Sequence, residues 1–266
     1  MNIAYNLKNP KKAFKKILLL FENFFLKKKY DIALFEQKQN QIFNKLNFDR
    51  KSGLRNIIEI KKKINFPDRE MSSEHEIIFS AISSKKKINR ILEIGTFDGW
   101  NSYLLSNLFP SSEITTVDLD EKDKNFSLFY NREDKLDLFL KDRDHVLEKC
   151  KNVIFKKINS INLINSKEKY DLIWIDGAHG YPIVTIDIVN ALNLVERDGI
   201  ILCDDVFIER QINEDDMYSS VATFETLKIF EKQKIIKSFL FYKRLSKEFN
   251  CNPKTRQHIA LVKIND

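Results

Sequence analysis

From Arg90 to Asp204 the chain alternates between short apolar or β-branched runs and amphipathic stretches. Strand signals fall at 90–94, 113–118, 152–156, 170–176 and 199–204. Helical patterns lie between them at 102–108, within 134–149 and at 184–194. A parallel sheet covered on both faces accounts for such alternation, because each crossover between parallel strands must pass over one face. Two later apolar runs, 238–242 and 258–264, follow a helical pattern at 221–232 and predict a closing hairpin or an antiparallel edge.

The first 65 residues are of a different kind. They hold sixteen Lys or Arg against five Asp or Glu, while the whole chain carries +7, so a basic arm precedes a mildly acidic body. Phe14, Ile17, Leu18, Phe21, Phe24 and Phe25 recur at helical spacing with Lys11, Lys12, Lys15 and Lys16 beside them, which predicts a basic amphipathic helix. Three occupants are open for that face: its own domain, a second subunit in a homodimer, or an anionic membrane contacted through residues 11–29. A second helix is expected over 31–46, with Gln39 interrupting the stripe of Ile32, Phe35, Ile42 and Leu46. Ser52-Gly53 is expected to break it, a short helix through Ile57, Ile58 and Ile64 to follow, and Pro67 to end the region. Ser73-x-x-Glu76 reads as a capping box opening a helix that contains Ile77, Ile78, Ala81 and Ile82. The expected organisation is a basic helical extension over 1–70 and an α/β domain over 71–266.

Glu22 and Asn23 interrupt the apolar run at 17–26, and Lys27-Lys28-Lys29 stands where a leader peptide needs small residues, so neither a bilayer span nor secretion is expected. Cys150, Cys203 and Cys251 are far apart, without disulfide-framework or metal-finger spacing. A reducing, cytoplasmic setting is expected, peripheral to the inner membrane surface if the basic helix meets lipid.

The first predicted strand ends in Glu93-Ile94-Gly95-Thr96-Phe97-Asp98-Gly99, with a helix starting near Trp100. Ligands of open parallel sheets bind beyond the carboxyl ends of the strands. A glycine-punctuated turn there lets backbone approach a ligand and aims helix amides at it. Asp118 closes the second strand about twenty residues beyond Gly99, the spacing of an acid that accepts from ribose hydroxyls. Together these signals point to an adenosine-containing cofactor. A nicotinamide dinucleotide needs G-x-G-x-x-G, but Phe97 stands at the middle glycine position, and Glu93 and Asp98 would repel a pyrophosphate. Those acids suit S-adenosylmethionine, whose sulfonium and ammonium lie beside its ribose.

The same run resembles the first motif of class I S-adenosylmethionine-dependent methyltransferases. Its glycines four apart are typical of the catechol-O-methyltransferase-like and macrolide-sugar O-methyltransferase-like branch. The resemblance covers 71–266 and implies a Rossmann-like, seven-stranded, mostly parallel sheet of order 3-2-1-4-5-7-6 with a reversed last strand. It implies that Glu93 and Gly95 lie beside the methionyl part of the cofactor, that Asp118 holds the ribose, and that Thr96 and Gly99 of the same turn belong to the cofactor site. Asn159-Ser160 stands after the third strand, where such enzymes place a polar residue, usually an acid, near the adenine. Met71-Ser72 stands where the branch flanks the sulfonium.

Tyr170 to His179 reads as a strand and its loop, and Gly199 to Asp205 as the next. If adjacent, the two strands lie about 4.8 Å apart, which brings Asp176 to the Asp204-Asp205 pair. Carboxylates so crowded repel unless a cation joins them, and oxygen donors favour a hard ion, Mg²⁺, with Asp176, Asp204 and Asp205 as its ligands. Neighbouring residues on a strand point to opposite faces, so either Asp204 or Asp205 sits in the loop or only one is a ligand. A metal there would lower the pKa of an acceptor hydroxyl, with His179 as general base. The sugar-modifying branch is similar here too, with Asp-x-x-His after strand four and Asp-Asp after strand five. That resemblance implies a magnesium-assisted O-methyltransferase of a small hydroxylated acceptor such as a sugar or glycan intermediate, with His179 and Asp176 at the reacting groups. The Asn/Asp-Pro-Pro-Tyr signature of adenine and amide N-methyltransferases does not follow strand four, which argues against nucleic acid. The alternatives are a metal-independent methyltransferase and a non-catalytic module docking through its first 65 residues. The charged connection 120–149, interrupted by Phe126, Leu128, Phe129 and Tyr130, and the 206–217 loop are candidate lids or interfaces.

Overall fold

A computed structural model describes residues 10–68, 73–126, 135–212 and 218–265. Of the features singled out above, Met71-Ser72, Leu128, Phe129, Tyr130 and residues 213–217 lie outside these.

The described strands are β1 (Arg90–Ile94), β2 (Glu113–Asp118), β3 (Val153–Lys157), β4 (Tyr170–Ile175), β5 (Val195–Phe207), β6 (Ile236–Tyr242) and β7 (Gln257–Ile264). They form one sheet of order β3-β2-β1-β4-β5-β7-β6. β1 to β5 pair in parallel, and β7 runs antiparallel to both β5 and β6. The expected topology and reversed last strand are both present. β5 is longer than expected because it begins directly after its preceding helix.

The pleat sorts side chains into two cores. Ile91, Leu172, Trp174, Ile200 and Leu202 face one side of the sheet, where they pack with α4 (His75–Lys85) and α5 (Trp100–Leu108). Leu92, Ile94, Ile173, Ile175 and Ile201 face the other, beneath α7 (Ile183–Leu194) and α8 (Ala222–Lys232). Near-continuous apolar strands are what burial on both faces demands. Helix α6 (Leu136–Glu148) packs against α5 and turns Phe139 and Val146 inward.

The amino-terminal helices are α1 (Pro10–Lys28), α2 (Ile32–Lys45) and α3 (Arg50–Lys63). Phe43 of α2 and Ile57 of α3 enter the first core, Phe43 edge-on to Phe241 of β6 at 5.0 Å. Gln39, the polar break in the α2 stripe, is fully buried. Its amide accepts from Tyr242 N–H at 2.9 Å and donates to Tyr242 O at 3.1 Å, closing the backbone of the edge strand β6.

Two local expectations fail for packing reasons. Ser52-Gly53 lies inside α3, capped by Asp49, because Gly53 lets α3 approach α4 closely; a β-carbon there would stand 2.8 Å from Ile77 O. The Ser73–Glu76 capping box does not form. Glu76 pairs with Lys61 of α3 at 3.0 Å, and Glu74 takes the forked Arg50 at 2.6 and 2.7 Å, so the helix-helix interface claims both acids.

Candidate active site

The carboxyl ends of β1 to β5 share one edge, and a cavity of about 590 Å³ runs along it. That volume suits a cofactor-sized ligand together with a small second molecule. Gly95, Thr96, Asp118, Asn159, Ser160, Asp176, His179, Asp204 and Asp205 all line it. Glu93 and Gly99 do not.

Gly95 has φ +100° because the ends of β1 and β4 nearly touch: a β-carbon would stand 2.2 Å from Asp176 O. This glycine therefore sets the distance between the two halves of the cavity. Gly99, at φ +77°, starts α5 and packs against Leu147 of α6, where a β-carbon would stand only 3.1 Å from Leu147 Cγ. The amides of the turn are already engaged. Asp118 Oδ2 accepts from Thr96 N–H at 3.2 Å and Phe97 N–H at 2.8 Å, and Asp98 Oδ1 accepts from Trp100 N–H at 3.3 Å. The start of α5 thus faces carboxylates, an arrangement hostile to a pyrophosphate.

Glu93 is buried under the turn. Asn101 Nδ2 donates to Oε1 at 2.7 Å and Ser102 Oγ donates to Oε2, tying β1 to the first turn of α5. Burial pushes its carboxyl up to about 7 against the hydrogen bonds of Ser102, Thr116 and Asn101.

Asn159 accepts from Ile161 N–H at 3.0 Å and caps the short 3-10 turn Ser160–Asn165. An acid lines the same part of the cavity from another element. Asp187 of α7 lines the cavity at 1% exposure, and its Oδ1 has no hydrogen-bond partner among the described residues. Burial raises its carboxyl to about 6, opposed by a hydrogen bond from Ser160. In sequence it is a lone acid in an apolar helical pattern, with no spacing that marks it.

At the β4–β5 edge, Asp176, His179, Asp204 and Asp205 converge as the spacing required. A β-bulge in the β5–β7 pairing, between Cys203 and Val206, answers how adjacent aspartates reach the same place. Asp205 takes φ +48°, and both side chains meet one partner. That partner, unforeseen from sequence, is Lys243, just past the end of β6. Its Nζ lies 2.6 Å from Asp204 Oδ2 and 2.6 Å from Asp205 Oδ1, and its side chain is 4% exposed. Gln257 Nε2 also donates to Asp205 Oδ1, at 2.7 Å. No spacing rule links residue 243 to 204; only the antiparallel return of β6 and β7 does.

Burial raises Asp204, but the charge and hydrogen bond of Lys243, together with His75 and His179, outweigh it and hold the carboxyl below its ordinary range. Asp176 has no such ammonium contact. Desolvation and the Asp204 charge push it well above the ordinary range. His179 Nε2 stands 3.7 Å from Asp176 Oδ1 and 3.8 Å from Asp205 Oδ2. Burial lowers its pKa despite the charges of Asp205 and Asp204, so the ring is neutral at pH 7 and able to take a proton. His75 of α4, also unforeseen, reaches the cavity stacked on Trp174 at 5.3 Å, and burial lowers it too.

The magnesium site expected from sequence does not fit these side chains as they stand. One oxygen each of Asp204 and Asp205 holds the Lys243 ammonium, and a divalent ion placed between these carboxylates would face that charge at close range. Among the described residues no group of three or more His, Cys, Asp or Glu side chains is arranged to hold an ion.

Residues 92–206 match the model of a family described as a methyltransferase domain. Solved structures share the fold. A candidate O-methyltransferase from Klebsiella pneumoniae aligns with a TM-score of 0.52 at 14% identity, over 88% of this chain and 99% of that one. The cofactor-bound protein Rv0187 from MTB aligns at 0.51 and 17%, over 80% and 89%. A candidate caffeoyl-CoA O-methyltransferase from Staphylococcus aureus aligns at 0.51 and 16%, over 90% and 99%.

Proposed function

Taking this chain as a class I methyltransferase, we propose that it uses S-adenosylmethionine to methylate a hydroxyl group of a small acceptor, a sugar or glycan intermediate being the class we favour. One observation carries the reading. A cofactor turn set with acids and a cluster of Asp176, His179, Asp204 and Asp205 open into the same cavity. The Asp-x-x-His and Asp-Asp likeness supports the acceptor class. We assign the reaction to residues 71–266, with 1–70 as a basic helical extension.

The residues present fit this cofactor. In this reading Asp118 at the end of β2 takes the ribose, Thr96 and the Gly95 turn the methionyl side, and Asn159 and Ser160 the adenine; that all of them line the cavity supports it. The unpartnered Asp187 Oδ1 fits the adenine amine, supplying the acid that the position after β3 lacks. When bound, S-adenosylmethionine supplies a methyl carbon whose bond to sulfur breaks as the acceptor oxygen bonds to it. The aspartates outnumber the ammonium at the β4–β5 edge, which favours a cationic cofactor. Asp176 orients the acceptor by hydrogen bonding to it beside the reacting hydroxyl, and His179 Nε2 takes that hydroxyl's proton. Lys243 holds Asp204 and Asp205 in place through its two 2.6 Å contacts and favours the ionised form of Asp204. No step is routed through magnesium, because Lys243 already answers the charge of two of its expected ligands.

Mass spectrometry of purified protein with S-adenosylmethionine and a panel of sugars, nucleotide sugars and catechols tests the reading. Methylated sugar is expected, unchanged by EDTA and lost in His179→Gln. Methylation confined to catechols, or abolished by EDTA, overturns it.

A further inference from the structure

Helix α1 is mounted with its polar side toward the protein. Asn252 Nδ2 donates to Asn23 Oδ1 at 2.6 Å, and Lys254 Nζ pairs with the Glu22 carboxylate at 2.9 and 3.0 Å. Just past the helix, the Tyr30 hydroxyl donates to Leu245 O at 2.6 Å. These contacts fix the rotation of the helix about its axis. Phe14, Leu18, Leu20, Phe21, Phe24 and Phe25 consequently point away from the body, each between 51% and 63% exposed. Six large apolar side chains on one exposed helix form a patch of the kind that marks a binding surface.

The border of the patch identifies its occupant. At 3.6 residues per turn, Lys11 and Lys15 fall along one margin and Lys27 along the other. Lys28 lies over the Phe24 ring at 4.4 Å. An apolar stripe edged by lysines matches the surface of an anionic bilayer, with acyl chains under the stripe and phosphates beside the ammonium groups. A second copy of the chain would set one lysine margin against another and repel. Among the described residues no helix is long and apolar enough to cross a membrane, so the helix would lie in the plane of the surface.

We propose that α1 seats the protein on an anionic membrane, apolar side down, with the Glu22, Asn23 and Tyr30 contacts transmitting that orientation to the body. The proposal makes no use of the cavity and stands apart from the reading of its chemistry.

Flotation of the full chain with vesicles of phosphatidylcholine alone, or doped with phosphatidylglycerol, is the test. Wild type is expected to float with the doped vesicles only and to be released by salt. Phe21→Glu with Phe24→Glu, and separately Lys11→Glu with Lys15→Glu, should each weaken vesicle binding at least about tenfold. These positions are exposed, so the thermal midpoint should not move, and an unchanged midpoint confirms that the variants are folded. Equal binding to both vesicle types, or to neither, overturns the proposal. So does a dimer in light scattering that the Phe21→Glu, Phe24→Glu pair dissociates, which would give the face to a second copy.

Discussion

Lys243→Met is the most informative single change. The ammonium makes two contacts of 2.6 Å with carboxylates whose side chains are 5% and 13% exposed. Removing one partner of a buried pair leaves its charge uncompensated and typically costs about 3–5 kcal/mol. Here two aspartates lose their partner at once and face each other across a gap, with Asp176 beside them. We expect a loss of about that size near neutral pH, a large part of the roughly 5–15 kcal/mol that holds a typical domain folded. The loss should shrink as pH falls through the carboxylate range, because protonated aspartates no longer repel. The same substitution should create the site that sequence alone predicted. With Lys243 gone, Asp176, Asp204 and Asp205 have no resident cation, and Mg²⁺ should stabilise the variant by about 3 kcal/mol once it exceeds its dissociation constant roughly a hundredfold. Urea unfolding of both proteins, with Mg²⁺ and with EDTA, measures all of this. The reasoning is refuted if the substitution costs less than about 1 kcal/mol, or if wild type gains as much from Mg²⁺ as the variant does. The wild-type arm decides the matter even if the variant folds only with metal.

His179→Gln should lower kcat by about 10²–10⁴-fold with little change in KM for the cofactor, and the acid limb of the wild-type rate profile should fall below pH 6.5, since burial lowers this ring; steady-state kinetics across pH checks both. Glu93 is held up to about 7 in the fold against an ordinary 4.5, so folding binds a proton and stability from this group drains away as pH rises between those values, by about 3 kcal/mol in all. Glu93→Gln should flatten that part of the stability profile measured by urea unfolding, and an unchanged slope would show the proton to be elsewhere. Gly95→Ala should cost more than about 3 kcal/mol or prevent folding, because the methyl group would meet Asp176 O and φ +100° is strained for alanine; a thermal midpoint near wild type would contradict the packing described.

The sheet was legible because its signal is local and repeated. β1 and β2 fall where the apolar runs of 90–94 and 113–118 begin and end, and the two late runs at 238–242 and 258–264 pair with each other as the antiparallel β6 and β7. The approach of Asp176 to Asp204 and Asp205 was legible for the same reason, since each ends a strand next to the other in the sheet. What escaped depends on contacts distant in sequence. Lys243 enters through the fold of β6 and β7, Asp187 through the face that α7 turns to the cavity, and His75 through the stacking of α4 on Trp174. Gly53 and the Ser73–Glu76 pair carried sound local signals that were overridden where α3 packs against α4. The bulge at Asp205 has no sequence mark that separates it from an ordinary strand end.

The central claim is that the turn after β1 and the acid after β2 hold an S-adenosyl cofactor. Calorimetric titration with S-adenosylhomocysteine tests it most directly, using wild type and Asp118→Asn, with NAD as the comparison ligand. The account predicts binding near the micromolar range by wild type, weakened about ten- to hundredfold in the variant, and none of NAD. Heat from NAD, or none from S-adenosylhomocysteine, would contradict it.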